Sequence, residues 1–325
     1  MMIKLALLLT HKHRLISIAA ILDVFDTVNN MQQQPIFNIQ LVVPDDEEQV
    51  LPSYEHYTSV GLADAGKPNI VLIPAFVAES LPEALTANRA FVPWIQSQYE
   101  NGAEIASFCT GAFLLGSTGL LNGKPATTHV NSCAAFASVF PEVLLQSDKV
   151  LTAAAGIYTS GGATSTFHLL LYLVEKYCGR PVAIQTAKVF AIDMDRYTQA
   201  YFSVFLPDKH HTDDLITEVQ KRMESGYKDA NTVEAFMEDI PASRRNFVRR
   251  FKMATGITPI EYLQKTRIEA AKRLLEQTGN SVLAVMLDCG YNDVKAFRKV
   301  FRKEVGLTPT EYRVKFSGGS RKVAV

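Results

Sequence analysis

A repeat in the last third of the 325-residue chain constrains its fold more than any other feature. Residues 243–251 and 256–262 recur, at a constant offset of 50 positions, as residues 293–301 and 306–312. The Gly, Thr, Pro, Glu and Tyr positions coincide, and so do both Phe positions. A repeated sequence implies a repeated structural unit.

Each copy of the repeat carries signals that start and stop helices. Ser243 and its counterpart Asp293 suit N-caps, because their short side-chain oxygens accept a free first-turn N–H. Gly256 and its counterpart supply the left-handed residue that ends a helix. The sequence Thr-Pro-X-Glu at 258, and again at 308, is a capping box with proline at the first helical position. Each copy therefore predicts one helix followed at once by another.

A short apolar helix is expected before each copy, at 232–238 and 281–288, joined to it by tight turns at 239–242 and 289–292. The two Phe of each copy lie on one helical stripe that faces inward, which turns the cations outward. Helix, tight turn and cationic helix is the helix-turn-helix arrangement that enters the DNA major groove. A connecting helix from 259 to about 277 would separate the units by nearly 30 Å, at ~1.5 Å per residue, which is close to the ~34–36 Å of one duplex turn.

The charge distribution agrees with a nucleic-acid module at the end of the chain. Residues 1–211 carry 12 Lys+Arg against 18 Asp+Glu, and residues 212–325 carry 21 against 15. Within 241–322 the balance is 18 against 7. A basic end on an acidic body is typical of a DNA-binding domain joined to another domain, although a solvated basic helical surface gives the same count.

Residues from about 228 to 316 resemble the AraC/XylS-type DNA-binding domain. The resemblance is carried by residues 245–251, 256–259, 262–264, 267–272, 289–291 and 306–313. It implies two clusters of DNA-contacting residues. The first contains Arg245, Val248 and Arg249, and the second contains Val294, Lys295, Arg298 and Lys299. We add Arg244 to the first cluster. Arg and Lys suit guanine, and Val suits a thymine methyl. A basic protein–protein module is the alternative, but it would not explain the repeat with its caps.

The first two-thirds of the chain alternate short apolar runs with helical stretches. Strands are expected at 3–9, 37–43, 70–74, 104–107 and near 152–159. Helices are expected at 15–28, 89–99, 110–116, 131–140 and 163–177. This alternation predicts an α/β fold, a parallel-sheet sandwich, followed by an all-α domain with two helix-turn-helix units.

The most chemically suggestive segment leads from an apolar strand into Cys109, a Gly-containing turn and a helix. This geometry exposes a nucleophile above a helix N-terminus, where the dipole would lower a thiol pKa. Residues from about 1 to 185 resemble the PfpI-type branch of the flavodoxin-like, class I glutamine-amidotransferase-like superfamily, on residues 109–115, 119–129 and 159–162. The resemblance implies an active or vestigial site of Cys109 and His129. Fusion to an AraC-type end resembles the GlxA-like regulators.

Catalysis is not expected, because the groups around the cysteine depart from the enzymatic branches. Ser17 stands at the position of a helix Glu, Thr110 stands where another branch has His, and the loop 74–76 leaves little room for oxyanion donors. Nucleophilic catalysis needs all of these groups together. We predict a non-catalytic effector pocket whose ligand-binding candidates are Asp23, Cys109, Thr110 and His129. A cysteine hydrolase or amidase, and an inert structural Cys and His, remain alternatives.

These inferences assign 1–185 to effector sensing and dimerisation, 186–227 to a linker and 228–325 to DNA binding. The predicted partners are promoter DNA, RNA polymerase, a second copy of the chain and a small-molecule effector. No cofactor, metal or membrane is expected, and four cysteines without a CxxC pair fit reduced thiols in the cytoplasm. A regulator whose first domain only dimerises is the further alternative. The sequence leaves open the effector, the operator, and whether the outcome is activation or repression.

Overall fold

The protein divides into two compact units, Met1–Gln199 and Ala200–Val325. The computed structural model describes residues 2–44, 57–77, 79, 81–205, 207, 209, 211–229, 232–237 and 243–317. The predicted turn at 239–242 lies outside these residues. Each unit has its own hydrophobic clusters, and each is described by itself below.

The first unit is built on a seven-stranded sheet with the order β3-β2-β1-β4-β5-β9-β8. All neighbours are parallel except β8 and β9, which run antiparallel. A separate parallel pair, β6 and β7, lies outside this sheet. The strands are β1 Ile3–Leu8, β2 Phe37–Val43, β3 Thr58–Gly61, β4 Ile70–Ile73, β5 Glu104–Ser107, β6 Pro125–Ala126, β7 Leu144–Leu145, β8 Leu151–Ala154 and β9 Ile157–Ser160. The predicted α/β class of this part of the chain is confirmed.

Helices cover both faces of the sheet, because successive side chains of a buried strand point to opposite sides. In β1, Leu5 and Leu7 join the cluster that contains α1, α6 and α7, whereas Ala6 and Leu8 join the cluster that contains α2 to α5. The helices are α1 Leu15–Met31, α2 Leu81–Ala87, α3 Phe91–Glu100, α4 Ala112–Ser117, α5 Cys133–Val139, α6 Ser165–Cys178 and α7 Arg180–Val189.

The prediction of a single strand near 152–159 is wrong, because this stretch forms the two strands β8 and β9. The stretch is a hairpin, because Ala155 and Gly156 both adopt a positive φ, of 49° and 74°. Two consecutive left-handed residues form the tight turn whose twist suits a hairpin. The sequence prediction also omitted β3, β6, β7, α2 and α7, which are short or carry no strong periodicity.

The second unit is helical, and its repeat is visible in the packing. It contains α8 Asp214–Gly226, α9 Arg244–Thr255, α10 Pro259–Gln277, α11 Val282–Asp288, α12 Val294–Val305 and α13 Pro309–Phe316, with 3-10 helices at Ala200–Phe202 and Val233–Met237. One cluster surrounds α9 and the other surrounds α12. The helix predicted at 232–238 is a 3-10 helix over its described residues, whereas α11, α12 and the 259–277 helix form as predicted.

The predicted linker at 186–227 needs correction. Its first boundary lies inside α7, and the segment contains α8, whose residues Ile216, Val219 and Met223 are buried in the cluster around α9. Helix α8 is therefore part of the helical unit. The buried side chains of α8 do have the spacing of an amphipathic helix, but the polar stretch at 207–214 that leads into it is typical of a linker.

The predicted helix signals are confirmed in both copies. The Ser243 Oγ accepts a hydrogen bond from Asn246 N at 3.4 Å, and the Asp293 Oδ1 accepts one from Ala296 N at 2.9 Å. Both Thr-Pro-X-Glu segments close reciprocal capping boxes. Gly256 ends α9 with φ at 77°, in the left-handed region.

A pair of glycine substitutions tests this stop signal. Gly256 has φ +77°, and no atom lies within 4 Å of the place that a Cβ would take. Gly279, beyond the other end of α10, is equally open without a positive φ. Gly256→Ala should cost ~1 kcal/mol of unfolding free energy from backbone strain alone. Gly279→Ala should be neutral or slightly stabilising in the same urea titration. Equal effects of the two substitutions would contradict the assignment.

Candidate effector site and nucleic-acid interface

Cys109 occupies the predicted elbow at the end of β5. Its φ is +54°, a strained value for a residue other than glycine. A 3-10 helix, Cys109–Gly111, follows and leads directly into α4. Gly111 is required there, because a Cβ at this position would lie 2.5 Å from the carbonyl oxygen of Pro74. The strand, elbow and helix predicted from the sequence therefore form.

The thiol of Cys109 differs from the sequence expectation in its acidity. The residue is 2% exposed. Burial raises the pKa of this thiol to about 11, against smaller lowering effects from hydrogen bonds to Thr110 and from the Arg14 guanidinium. Desolvation thus raises the thiol pKa by more than the helix N-terminus lowers it. Only about one thiol in ten thousand is ionised at pH 7. The expected lowering of the pKa was wrong.

His129 lies on the loop that follows β6 and is half-buried. Its Nδ1 accepts a hydrogen bond from Asn131 N at 3.2 Å, so the neutral ring carries its proton on Nε2. Burial lowers the pKa of His129, and the Arg14 guanidinium lowers it further. Within the described residues, no hydrogen bond joins the His129 ring to the Cys109 thiol. The Arg14 charge reaches both predicted residues, but they form no nucleophile–base pair in the described structure.

Two buried side-chain hydroxyls accept hydrogen bonds from backbone N–H groups of the loop after β4. Ala75 N donates to Ser17 Oγ at 3.0 Å, and Phe76 N donates to Thr110 Oγ1 at 2.8 Å. The Thr110 hydroxyl in turn donates to Phe76 O. The N–H groups that an oxyanion would need are therefore already satisfied. The hydroxyl of Thr110, which is predicted to bind ligand, therefore both donates and accepts a hydrogen bond within this loop.

Asp23 is not brought to the site. It lies on α1 nearly two turns beyond Ser17, about 9 Å along the helix axis at ~1.5 Å per residue, and its side chain is exposed. Asp23 was predicted as a ligand-binding candidate, but its helical position turns it to the surface, where its charge helps to raise the pKa of Tyr57. Its prediction as a ligand-binding residue is corrected accordingly.

Arg14 and Gln199 are two site residues that the sequence prediction missed. The Arg14 guanidinium is 43% exposed, and its charge reaches both Cys109 and His129. Gln199 is 1% exposed, and its side-chain oxygen accepts a hydrogen bond from Gly162 N at 2.9 Å. A Cβ on Gly162 would lie 3.3 Å from the His129 ring. No motif marks either residue, so only the fold could reveal them.

The predicted DNA-contacting residues of the first copy lie on α9. Arg244, Arg245 and Arg249 are exposed, whereas Val248 is half-buried against the cluster around α9. Arg244 forms an ion pair with Glu234 at 3.0 Å. The Arg249 guanidinium contacts Asn246 Oδ1 at 3.2 Å, one turn back on the same helix. The exposed face of α9 is cationic and carries no acidic side chain.

Helix α12 presents the second set of predicted contacts. Val294, Lys295, Arg298 and Lys299 are all exposed. In the part of the chain that the structure describes, none of these three cations has an intramolecular polar partner. Phe297 and Phe301 face the opposite way, into the core. The helix therefore offers a continuous cationic surface to solvent.

Other kinds of site are not indicated by the residues that are described. No helix among them is long and apolar enough to cross a membrane. The same residues contain no group of three or more His, Cys, Asp or Glu arranged to hold a metal ion. The four cysteines are free thiols.

Comparison with known proteins supports both units. Residues 38–176 match the DJ-1/PfpI family, and residues 238–315 match a helix-turn-helix domain family. The transcriptional regulator GbdR of Pseudomonas aeruginosa is 26% identical over 252 residues, which are 77% of this chain and 68% of that protein. CdhR of the same species is 26% identical over 239 residues, which are 73% and 71% of the two chains.

The chain is an AraC-type transcription regulator with a DJ-1/PfpI domain. A crystal structure of a Vibrio parahaemolyticus protein shares the fold of part of this regulator. The TM-score is 0.51 at 20% identity, over 58% of this chain and 99% of that one. The predicted two-domain regulator is confirmed, and the roles of individual site residues stay predictions.

Alkylation tests the acidity of Cys109 in the regulator. At pH 7 iodoacetamide should label Cys109 more slowly than the partly exposed Cys178, and the Cys109 rate should rise about tenfold per pH unit up to pH 9.5, because its pKa lies near 11. Peptide mass spectrometry gives both rates in one sample. Fast labelling of Cys109 that is flat above pH 7 would indicate an activated thiolate instead.

Proposed function

We propose that the regulator reads operator DNA with α9 and α12, while its first unit senses a small molecule without catalysing a reaction on it. The observation that carries the DNA-reading role is the pair of cationic helices, each with two inward-facing Phe and outward Arg and Lys. Helix α10 joins them and spans about 28 Å at ~1.5 Å per residue. That length favours entry of the two helices into successive major grooves.

The non-catalytic role of the first unit is supported by the state of three groups. The Cys109 thiol is protonated at neutral pH, the His129 ring makes no hydrogen bond to it in the described structure, and the loop N–H groups are taken by Ser17 and Thr110. An acyl-transfer reaction would need a nucleophile, an oriented base and free oxyanion donors. We infer that Cys109, Thr110 and His129, with the partly exposed Arg14 nearby, bind an effector rather than react with it.

Regulation would follow if the effector favours one arrangement of the protein over another. We infer a homodimer, because one pair of helix-turn-helix units covers only a short site, and RNA polymerase as the partner at the promoter. A cytoplasmic location follows from these partners.

Two substitutions on the proposed reading helices test the DNA contacts. Arg249→Ala and Arg298→Ala should each weaken binding to a duplex selected from random DNA by roughly 1–3 kcal/mol, if each guanidinium makes a bidentate base contact. Arg89→Ala is the matched control, since it removes the same charge from an exposed position in the other unit. Fluorescence anisotropy at two salt concentrations measures all three. Wild-type affinity and salt slope in both variants would show that the faces are misassigned.

A hydrolase with an appended DNA-binding domain is the rival from another functional class. Assays with ester, amide and glyoxal substrates should give no turnover that depends on Cys109, because the thiol lacks an activating base. Cys109→Ala should therefore change neither the background rate nor operator affinity. Turnover by the wild-type chain that the substitution abolishes would favour the hydrolase.

A further inference from the structure

Residues 199–205 cross the boundary between the two units, and they are held by contacts inside the first unit at Gln199 and inside the second unit from Ala200 onward. We call this stretch the junction segment. Its first residue is bound in the first unit beside the candidate effector site, and the others are bound in the second unit.

The anchor in the first unit is the side-chain amide of Gln199. Its oxygen accepts from Gly162 N at 2.9 Å, and its nitrogen donates to Thr128 O at 2.9 Å and to Ser147 O at 3.0 Å. The same nitrogen lies 3.2 Å from Thr127 Oγ1. A buried amide whose donors and acceptor are all paired resists displacement, because each unpaired group would carry a desolvation penalty.

This amide shares two partners with the candidate effector site. The Thr128 hydroxyl donates to Cys109 O at 3.0 Å, while the Thr128 carbonyl accepts from Gln199. A Cβ on Gly162 would lie 3.3 Å from His129 Cδ2 and 3.7 Å from Gln199 Oε1. A ligand that moves His129 or the 127–129 loop therefore alters the surroundings of Gln199 directly.

The first anchor in the second unit is aromatic. Tyr201 is 6% exposed and belongs to the cluster that contains Phe297 and Phe301 of α12. Its ring lies 6.1 Å from the Phe316 ring, and the 3-10 helix Ala200–Phe202 contacts α12 itself. Tyr201 thus helps to form the core that supports the second cationic helix.

The second anchor is polar and consists of hydrogen bonds between the segment and side chains of α10. The buried Lys272 ammonium donates to Ser203 O, and Glu269 Oε2 accepts from Phe205 N at 3.2 Å. Lys272 and Glu269 also pair with each other at 3.0 Å. Because the buried Lys272 and the half-buried Glu269 each also bond one backbone group of the segment, losing the segment would remove one partner from each charge.

We propose that the junction segment couples the effector site to the second helix-turn-helix unit. Only Ala200 separates Gln199 from Tyr201, and two Cα–Cα steps of ~3.8 Å leave little slack to absorb a displacement. A ligand that favours release of the Gln199 amide would loosen Tyr201 and, with it, the support of α12. This inference rests on the sensing role proposed above, and it identifies the physical link through which sensing reaches one DNA-reading helix.

A substitution in the first unit can imitate that release. A Cβ on Gly161 would lie 2.3 Å from Gln199 Oε1, and Gly161 has no positive φ that would strain alanine. Gly161→Ala therefore pushes the amide out of its site while leaving every residue of the second unit unchanged. Gln199→Glu reaches the same end differently, because a carboxylate cannot donate to the carbonyls of Thr128 and Ser147.

Hydrogen–deuterium exchange of the full chain tests the coupling. In Gly161→Ala and in Gln199→Glu, amides of α12 should exchange roughly three- to tenfold faster than in the wild type, as expected for loss of one or two net hydrogen bonds. Amides of α9 should change less. Gln146→Ala, an exposed glutamine of the same unit, is the control and should leave α12 unchanged. Combining Gly161→Ala with Gln199→Ala should add nothing to either substitution alone.

Insertion of Gly-Gly between Gln199 and Ala200 completes the test. With this slack present, Gly161→Ala should no longer accelerate exchange in α12. Acceleration that persists with the insertion would overturn the proposal, and so would faster exchange confined to residues 127–129 and 160–163 in the uninserted chain. If Gly161→Ala does not fold, Gln199→Glu decides alone. Operator affinity of the Arg249 and Arg298 variants is measured separately, so failure of the coupling leaves the DNA-reading proposal intact.

Discussion

Two phenylalanines pack against a tyrosine in each copy of the repeat, and the proposed DNA-reading surface depends on this packing. The Phe247 and Phe251 rings are 5.6 Å apart, and those of Phe297 and Phe301 are 5.7 Å apart. A tyrosine of the next helix closes each set edge-on. Burial of each ring contributes about 1.5–3 kcal/mol. Because these rings fix the rotation of α9 and α12, they also fix which side chains face outward, and those are cations.

In the first unit, burial and the N-terminus of a helix have opposite effects on the pKa of the Cys109 thiol. The elbow places Cys109 where a helix N-terminus and Arg14 both favour a thiolate, yet desolvation of a 2% exposed sulfur is the larger effect. The hydroxyls of Ser17 and Thr110 then satisfy the loop that might have stabilised developing charge. Burial of the sulfur and these two hydroxyls together oppose the activated thiol that the elbow geometry predicts.

The sequence was informative wherever a local signal matched the global fold. Ser243, Gly256 and the capping boxes located helix ends to the residue, because caps act within one turn of the chain. Cys109 was placed on its elbow for the same reason. The sequence was uninformative where long-range contacts decide: Asp23 faces solvent rather than the site, and Gln199 reaches Thr128 across 71 positions. Helix α8 was missed although its apolar side chains have helical spacing, because the polar stretch at 207–214 is typical of a linker.

Hydroxyl-radical footprinting of the full chain on a selected duplex tests most directly whether both α9 and α12 bind in the DNA major groove. Two cationic helices joined by α10 should protect two groove segments on one face of the DNA, with centres about 10 base pairs apart. A single protected segment, or two on opposite faces of the duplex, would show that α9 and α12 do not enter successive grooves together.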